Sequence, residues 1–274
     1  MEDINLKSLC MDAREIIIRV GEFIRREKGK VTSGDIETKS LNSLVSYVDK
    51  TAEEHLVEAL GELLPGSVFL TEEETVKTQR GDLQWIIDPL DGTTNFLHSL
   101  PVFSVSVALQ WKQETVMGIV YEINQHECFY AWKDGGAFLN GEPISVSQTT
   151  TLADSLVATG FPYYDYDKVP GYLQIFSEMM TRTRGIRRFG SAAVDLVYVA
   201  CGRFDAFFEY SLNVWDVAAG AFIIQEAGGK VTDFRGGDDY LYGREMVATS
   251  AAVQQEFLGF VKEAFVEGEG TTKS

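Results

Sequence analysis

The apolar positions of the chain follow a helical period in its first quarter. Residues 3 to 28 and residues 47 to 64 each carry one apolar face, and the second segment stops at Pro65-Gly66. Both segments are therefore predicted to be helices. Residues 29 to 45, which lie between them, are polar and weakly patterned, and this predicts a mobile connection.

The middle of the chain changes to the patterns of strands. Residues 68 to 70 and 85 to 87 are short apolar runs typical of buried strands, and from Val102 onward apolar and polar residues alternate. Further strands are expected near residues 115 to 123, 126 to 132 and 136 to 139, with a hairpin turn at Asn140-Gly141. The pattern predicts an antiparallel meander.

After about residue 150 strand and helix patterns alternate. Strands are expected at 156–159, 186–189, 205–210, 230–234 and 246–249, with helices at 172–181, 191–201, 217–227 and 252–266. The glycine-rich and acidic segment 267–270 is expected to be disordered. The predicted fold class is α/β with α+β layering, in which an antiparallel half (residues 1–150) is joined to a mixed α/β half (residues 151–274).

Composition restricts the environment and the partners. The 274 residues include 41 acidic and 24 basic residues, and the resulting net charge of −17 disfavours a nucleic-acid partner. One basic cluster, Arg182 to Arg188, is interpreted as a solvated face or subunit contact. No apolar run reaches the roughly 18 to 20 residues that cross a bilayer, and the N-terminus is acidic. We therefore expect a cytoplasmic protein without a membrane partner.

Cysteine and histidine offer little chemistry. The three cysteines are widely spaced among apolar residues, so they are expected to be buried free thiols. His98 follows the central acidic motif and is interpreted as a structural or rim residue.

Carboxylates occur where the predicted strands and helices begin or end. Asp88 and Asp91 follow a buried apolar run, Glu72 ends an earlier strand, and Asp216 opens a later helix. Asp88 and Asp91 are equally compatible with a turn, in which aspartate is common. If the four groups converge, their oxygens suit Mg²⁺ or Mn²⁺ and would not select zinc, which prefers histidine and cysteine.

Three motifs carry a resemblance to a known family. They are Asp88-Pro89-Leu90-Asp91-Gly92-Thr93-Thr94-Asn95, Thr71-Glu72-Glu73 and Trp215-Asp216-Val217-Ala218-Ala219-Gly220. Together they resemble the inositol monophosphatase family of magnesium-dependent, lithium-sensitive phosphatases, and the resemblance runs from the first helix to about residue 265. It implies alternating layers of helices and sheets and a homodimer.

The resemblance also implies a metal site with two or three Mg²⁺ ions, with Mn²⁺ as a possible substitute. Glu72, Asp88 and the Leu90 carbonyl would hold one ion, and Asp88, Asp91 and Asp216 a second. Glu72 and Thr93, with Asp49 polarising the Thr93 hydroxyl, would position the attacking water. From the residues alone, Asp49 serves the helix dipole equally well and Thr93 is an N-cap. Lys39 and Glu73 match positions near the metal site.

The substrate positions follow in the same way. By resemblance the substrate contacts are Gly92, Thr93, Gly190, Ser191, Ala192, Glu209 and Asp216. Read alone, residues 190 to 192 cap a helix and Glu209 is an exposed strand end.

The implied reaction is hydrolysis of myo-inositol 1-phosphate or a similar small polyol phosphate by metal-activated water. Two alternatives stay open. One is a phosphatase of the same fold acting on fructose 1,6-bisphosphate, histidinol phosphate or 3'-phosphoadenosine 5'-phosphate. The other is a metal-binding regulatory protein without turnover.

Overall fold

The computed structural model of this protein describes residues 4–40, 43–79, 81–162 and 165–267. The Lys39 side chain and the tail beyond residue 267 lie outside the described residues, so the predictions for them stay predictions. None of the helices in the described ranges combines the length and apolarity that a membrane crossing needs.

The first half of the chain carries most of the strands. Its helices are α1 (Leu6–Glu27), α2 (Tyr47–Leu63) and α3 (Thr93–Leu97). Its strands are β1 (Ile36–Ser40), β2 (Ser43–Ser46), β3 (Val68–Thr71), β4 (Leu83–Asp91), β5 (Ser104–Trp111), β6 (Glu114–Glu122), β7 (Glu127–Trp132), β8 (Ala137–Leu139) and β9 (Glu142–Ile144).

Strands β3 to β9 form a seven-stranded sheet in sequence order. Only β3 and β4 are parallel, and every later pair is antiparallel, which confirms the predicted meander. The predicted hairpin turn is confirmed too, because Leu139 pairs with Glu142 across Asn140 and Gly141, which both adopt positive φ.

The mobile connection predicted for residues 29–45 is wrong in part. Strands β1 and β2 pair there as an antiparallel hairpin, with Glu37 opposite Val45. A two-stranded hairpin on the surface has no long buried face, so its sequence lacks the strict alternation that marks a strand. The interpretation of Thr93 as an N-cap implies a helix at this point, and α3, a helix of five residues, begins at Thr93 with Gly92 as its N-cap.

The second half alternates strands and helices as predicted. Its helices are α4 (Val169–Arg182), α5 (Ala192–Ala200), α6 (Val214–Glu226) and α7 (Gln254–Lys262). Its strands are β10 (Leu156–Thr159), β11 (Gly185–Arg187), β12 (Ala206–Tyr210), β13 (Lys230–Thr232) and β14 (Glu245–Thr249). They form a mixed sheet in the order β11-β10-β12-β14-β13.

Helices and sheets alternate in layers, which confirms the predicted fold class. Helices α1 and α2 share a core with one face of the seven-stranded sheet, and α5 and α6 pack between its other face and the second sheet. Helices α4 and α7 cover the outer face of that second sheet. The alternation of side chains along a strand makes this possible: Phe207 belongs to the central core and Phe208 to the outer one.

Close packing between the layers depends on small residues. A Cβ atom at Gly118 in β6 would lie 2.6 Å from the Ala219 carbonyl oxygen, so glycine allows the backbone of α6 to approach the sheet. All three cysteines are free thiols, as predicted, although Cys201 is only partly buried. The boundary at residue 150 stays a prediction.

Candidate active site

One cleft collects the predicted site residues. It has a volume of about 130 Å³, and it lies where β3 and β4 end and α5 and α6 begin. Its walls include every predicted metal and substrate residue: Glu72, Asp88, Leu90, Asp91, Gly92, Thr93, Gly190, Ser191, Ala192, Glu209 and Asp216. Asp49 does not line the cleft and reaches it through Thr93.

A bulge in β4 places two of the carboxylates. Asp88 lies opposite Ser106 of β5, whereas Asp91 lies opposite Ser104, so three steps on β4 match two steps on β5. In a regular strand, residues three apart point to opposite faces, and one extra residue restores the same face. Pro89 falls inside the bulge, where a residue without an N–H is tolerated. The bulge therefore turns both carboxylates toward the cleft.

Asp88 is the most buried of the four carboxylates, at 2% exposure. Its pKa is raised well above the ordinary value, first by burial and then by the negative charges of Glu72, Asp91 and Asp216. Glu72 follows β3, where its N–H donates to the Ile87 carbonyl at 3.2 Å, and its side chain shares a hydrogen bond with Asp88. Two carboxylates can share a hydrogen bond only when one carries a proton.

Asp91 and Asp216 are each anchored at the start of a helix. Asp91 Oδ2 accepts from the Ser191 hydroxyl at 2.6 Å and from the Ala193 N–H at 2.7 Å. Burial raises the pKa of Asp91 to about 6, although these hydrogen bonds oppose the rise. Asp216 accepts from the Asn213 N–H at 2.7 Å in a capping box of α6. Burial and the charges of Glu72 and Asp91 raise its pKa.

The chemistry of this donor set fits a divalent cation. The fold holds four carboxylates close together, and the charge of Glu72 helps burial to raise the pKa of Asp88, Asp91 and Asp216; a bound cation would replace this repulsion with attraction. Carboxylate and carbonyl oxygens are the ligands that Mg²⁺ prefers. Within the described ranges no group of three or more acidic, histidine or cysteine side chains is arranged, as it stands, to hold an ion.

Thr93 is linked to a buried acid. Its hydroxyl lies 2.9 Å from Asp49 Oδ1 and 3.0 Å from the Leu90 carbonyl oxygen, and its single hydrogen can be donated to one of them. The other oxygen of Asp49 accepts from the Ser46 N–H and hydroxyl at 2.8 and 2.7 Å. Asp49 thus serves the capping box of α2 and also orients Thr93. Thr93 itself makes no cap, because Gly92 is the N-cap of α3.

Glu209 also lines the cleft. It is 6% exposed, and within the described residues its carboxylate accepts no hydrogen bond, so it is not an exposed strand end. Burial raises its pKa well above the ordinary value, with a further contribution from Asp216 and an opposing one from Arg188. A Cβ atom on Gly160 would lie 2.1 Å from both carboxylate oxygens, so any other residue there would force the Glu209 carboxylate to move.

Three residues near the cleft escaped the sequence analysis. Asp195 in α5 is 1% exposed, and its Oδ1 has no hydrogen-bond partner in the part of the chain that the structure describes. A lone acid in the apolar run of α5 was the available signal for it. Glu53 in α2 and Gly160 carried no such signal, because their roles depend on contacts with distant segments.

Of the remaining positions that the sequence analysis named, Arg188 lines the cleft, whereas Glu73, His98, Arg182 and Arg184 do not. The N–H of Glu73 donates to Glu53, and His98 is exposed at the end of α3, away from the cleft. In the basic cluster, Arg182 and Arg184 form surface ion pairs with Glu178 and Asp154. Arg188 alone lines the cleft, where its guanidinium lies 5.2 Å from the centre of the Phe161 ring.

A family model and individual relatives match nearly the whole length of this chain. The model of the inositol monophosphatase family matches residues 6–265. The inositol-1-monophosphatase of Mesorhizobium japonicum is 38% identical over 247 residues, which are 90% of this chain and 93% of that protein. The Nus factor SuhB of Pasteurella multocida is 39% identical over 238 residues, 86% of this chain and 89% of its own.

Solved structures share the fold. The extragenic suppressor protein SuhB of Bartonella henselae superposes with a TM-score of 0.86 at 36% identity, covering 91% of this chain and 96% of its own. An IMPase from Thermotoga maritima superposes with a TM-score of 0.84 at 34% identity, covering 93% and 96%. The three motifs, the layered fold and these matches agree, and the chain belongs to the inositol monophosphatase family.

Proposed function

We propose that this chain is a Mg²⁺-dependent phosphomonoesterase that hydrolyses inositol monophosphate or a similar small polyol phosphate. Membership of the family supports a phosphatase, and the family is in general metal-dependent. One observation carries the proposal: four carboxylates meet in one cleft beside the hydrogen-bonded pair of Thr93 and Asp49. A protein that only bound a cation would not need that pair.

We call Glu72, Asp88, Asp91, Asp216 and the Leu90 carbonyl the acidic end of the cleft, and these groups would hold the cations. Glu72, Asp88 and the Leu90 carbonyl would hold one ion, and Asp88, Asp91 and Asp216 a second. When bound, Mg²⁺ supplies positive charge for the phosphate oxygens and lowers the pKa of a water molecule.

The chain's own groups would orient the reaction. If the Thr93 hydroxyl donates to Asp49, its lone pairs are left to accept a hydrogen bond from the attacking water. Glu72 lines the same part of the cleft and would accept the second proton of that water. Both protein groups are held before substrate arrives, and preorganisation of this kind lowers the barrier.

Glu209 would select the alcohol part of the substrate. Glu209 has acceptor capacity that no described group uses, and a carboxylate can accept from two hydroxyl groups at once. Gly92, Thr93 and residues 190 to 192 line the same cleft. A small polyol phosphate would therefore present its phosphate to the acidic end and its hydroxyls to Glu209.

Two alternatives remain from the family. Another small phosphate ester, such as fructose 1,6-bisphosphate, histidinol phosphate or 3'-phosphoadenosine 5'-phosphate, would use the same acidic end. Relatives at 39 to 41% identity bear the name Nus factor SuhB or putative Nus factor SuhB, which keeps open a role other than turnover. We also expect a cytoplasmic homodimer, which light scattering and cell fractionation would test.

Phosphate release from a panel of inositol, sugar and nucleotide phosphates tests the proposal. We expect release that requires Mg²⁺, is fastest on a polyol monophosphate, and is inhibited by Li⁺ and by high Mg²⁺, since product phosphate must leave together with a loosely held ion. Release without added metal, or none from any ester, would contradict the proposal. Preference for another ester would keep the phosphatase and correct its substrate.

A further inference from the structure

A buried glutamate that the metal site does not include holds the segment that carries Glu72. Glu53 lies one helical turn after Asp49 on α2 and is fully buried, at 0% exposure. An acid in such a position is costly unless its oxygens are satisfied by hydrogen bonds. The partners that satisfy Glu53 all belong to residues 71 to 75, which begin at the end of β3.

The contacts surround the Glu72 position on both sides. Glu53 Oε1 accepts from the Thr71 hydroxyl at 2.8 Å and from the Thr75 N–H and hydroxyl at 2.8 and 2.7 Å. Glu53 Oε2 accepts from the Glu73 N–H at 2.7 Å. The residue before Glu72 and the residue after it are therefore both bonded to one carboxylate, and the Glu72 N–H is bonded to Ile87 in β4.

This arrangement determines where the Glu72 side chain can point. Residues 72 to 79 contain no helix or strand, so the hydrogen bonds to Glu53 hold a segment that the sheet itself does not pair. A ligand on an unanchored loop loses entropy when it binds, whereas a fixed ligand has lost that entropy during folding. Groups that do not touch a metal ion but hold its ligands in position by hydrogen bonds have large effects on metal affinity.

We propose that Glu53 is a positioning residue: it holds residues 71 to 75 so that the Glu72 carboxylate faces Asp88 and can bind a divalent cation. The inference rests on the proposed function, because it concerns the same site. Helix α2 would then orient both parts of the catalytic machinery, Thr93 through Asp49 and Glu72 through Glu53.

The variant Glu53→Gln tests this with little change in volume. If the amide oxygen replaces Oε1, the amide nitrogen faces the Glu73 N–H, and two donors meet at the residue next to Glu72. The opposite orientation places the nitrogen against three donors. Either way, at least one backbone N–H close to Glu72 loses its acceptor.

Binding of Mn²⁺ to the purified protein without substrate, followed by electron paramagnetic resonance, is the main measurement. We expect Glu53→Gln to raise the Kd for Mn²⁺ by about tenfold or more. Losses of affinity of this size are typical when a group that positions a metal ligand is replaced. The kcat at saturating Mg²⁺ should fall as well. Glu54→Gln is the matched control, because it removes the same charge from an exposed neighbour on the same helix.

A second variant keeps the test meaningful if Glu53→Gln folds poorly. Thr75→Val removes one hydroxyl donor and leaves the Thr75 N–H in place, so it should raise the Kd for Mn²⁺ in the same direction but less. If Glu53 is purely structural, Glu53→Gln would lower the melting temperature and leave the Kd of the folded protein for Mn²⁺ unchanged. That result would overturn the inference.

The variant Asp88→Asn separates this inference from the proposed function. If the wild-type protein binds Mn²⁺ no better than Asp88→Asn, the metal site is not in the cleft and the proposed function fails, and the inference fails with it. If the wild-type protein binds more tightly than Asp88→Asn and Glu53→Gln binds as tightly as wild type, only the inference fails.

Discussion

The Thr93 hydroxyl lies 2.9 Å from Oδ1 of Asp49, a residue 44 positions earlier in the chain. Asp49 is 1% exposed and cannot rotate freely, because its other oxygen is held by both donors of Ser46. The hydroxyl therefore has a fixed, buried acceptor for its proton at the edge of the cleft. Under the proposed function, this hydroxyl would orient the attacking water.

Replacing Thr93 with valine should lower kcat and leave KM nearly unchanged. The lost hydroxyl would orient the attacking water, and that interaction matters mainly in the transition state. We expect a fall of about 100-fold or more, the lower range for positioned proton-transfer groups. Steady-state kinetics at saturating Mg²⁺ checks this. A variant with normal kcat and a lower melting temperature would show that Thr93 serves only the structure.

The variant Asp91→Asn should keep the fold and lose turnover by several orders of magnitude. An asparagine oxygen can still accept from the Ser191 hydroxyl and the Ala193 N–H, so the start of α5 keeps its partner. The charge that would bind the second cation is lost. Circular dichroism checks the fold and phosphate release checks the activity. Near-normal activity at saturating Mg²⁺ would exclude Asp91 from the metal site.

The variant Glu209→Gln should reduce kcat/KM for a polyol phosphate and hardly affect a simple aryl phosphate. It keeps one acceptor oxygen and loses the charge, which costs roughly 1 to 3 kcal/mol for a hydrogen bond to a charged group. The aryl phosphate lacks the hydroxyls and controls for folding and metal binding. Equal losses on both substrates would instead place Glu209 in support of the metal site.

Replacing Gly160 with alanine gives an independent version of that experiment. The new Cβ atom would overlap the Glu209 carboxylate, which must then move without any change in its charge. We expect the same selective loss on the polyol phosphate. If Gly160→Ala spares both substrates, the observed position of Glu209 does not matter for recognition.

The variant Asp195→Asn should be more stable than the wild-type protein at neutral pH when metal is removed. Burial, with the charges of Glu209 and Asp91, raises the pKa of Asp195 well above its ordinary value of 3.8. The folded state therefore favours the neutral acid, and this stabilisation is complete below the ordinary pKa and is lost as pH rises through the raised one. Asparagine stays neutral throughout.

Denaturant unfolding in the presence of a chelator measures this difference at several pH values. The advantage of Asp195→Asn over wild type should shrink as pH falls toward 3.8. A constant difference in the free energy of unfolding across the whole range would contradict the assignment. Glu209, Asp91 and Arg188 are unchanged in both proteins, so their own titration affects both curves.

The residue types and their local spacing were enough to predict the layered fold and to select the acidic members of the cleft, whereas Thr93, residues 190 to 192 and Glu209 were assigned to it through the family resemblance. The helical and alternating patterns located the meander and the later strand-helix units, because each element buries one face with its own period. Glu72, Asp88 and Asp91 could be selected because acids are rare at the ends of buried strands, and Asp216 because it lies in one of the three motifs that resemble the family. The hairpin of β1 and β2 escaped because Val45 and Ser46, the buried residues described in it, are adjacent and do not alternate with exposed ones.

Tertiary structure decided which of these groups can act together. Asp88 and Asp91 face one cleft only because β5 pairs across a bulge, and the pairing of a neighbouring strand cannot be read from the motif itself. Asp91 accepts a hydrogen bond from Ser191, a hundred residues away, and Glu53 accepts from four donors on residues 71 to 75, at the end of β3 and just beyond it. The position and hydrogen bonding of a buried polar side chain depend on the partners that the fold brings to it, whereas a helix or strand follows from the pattern of its own sequence.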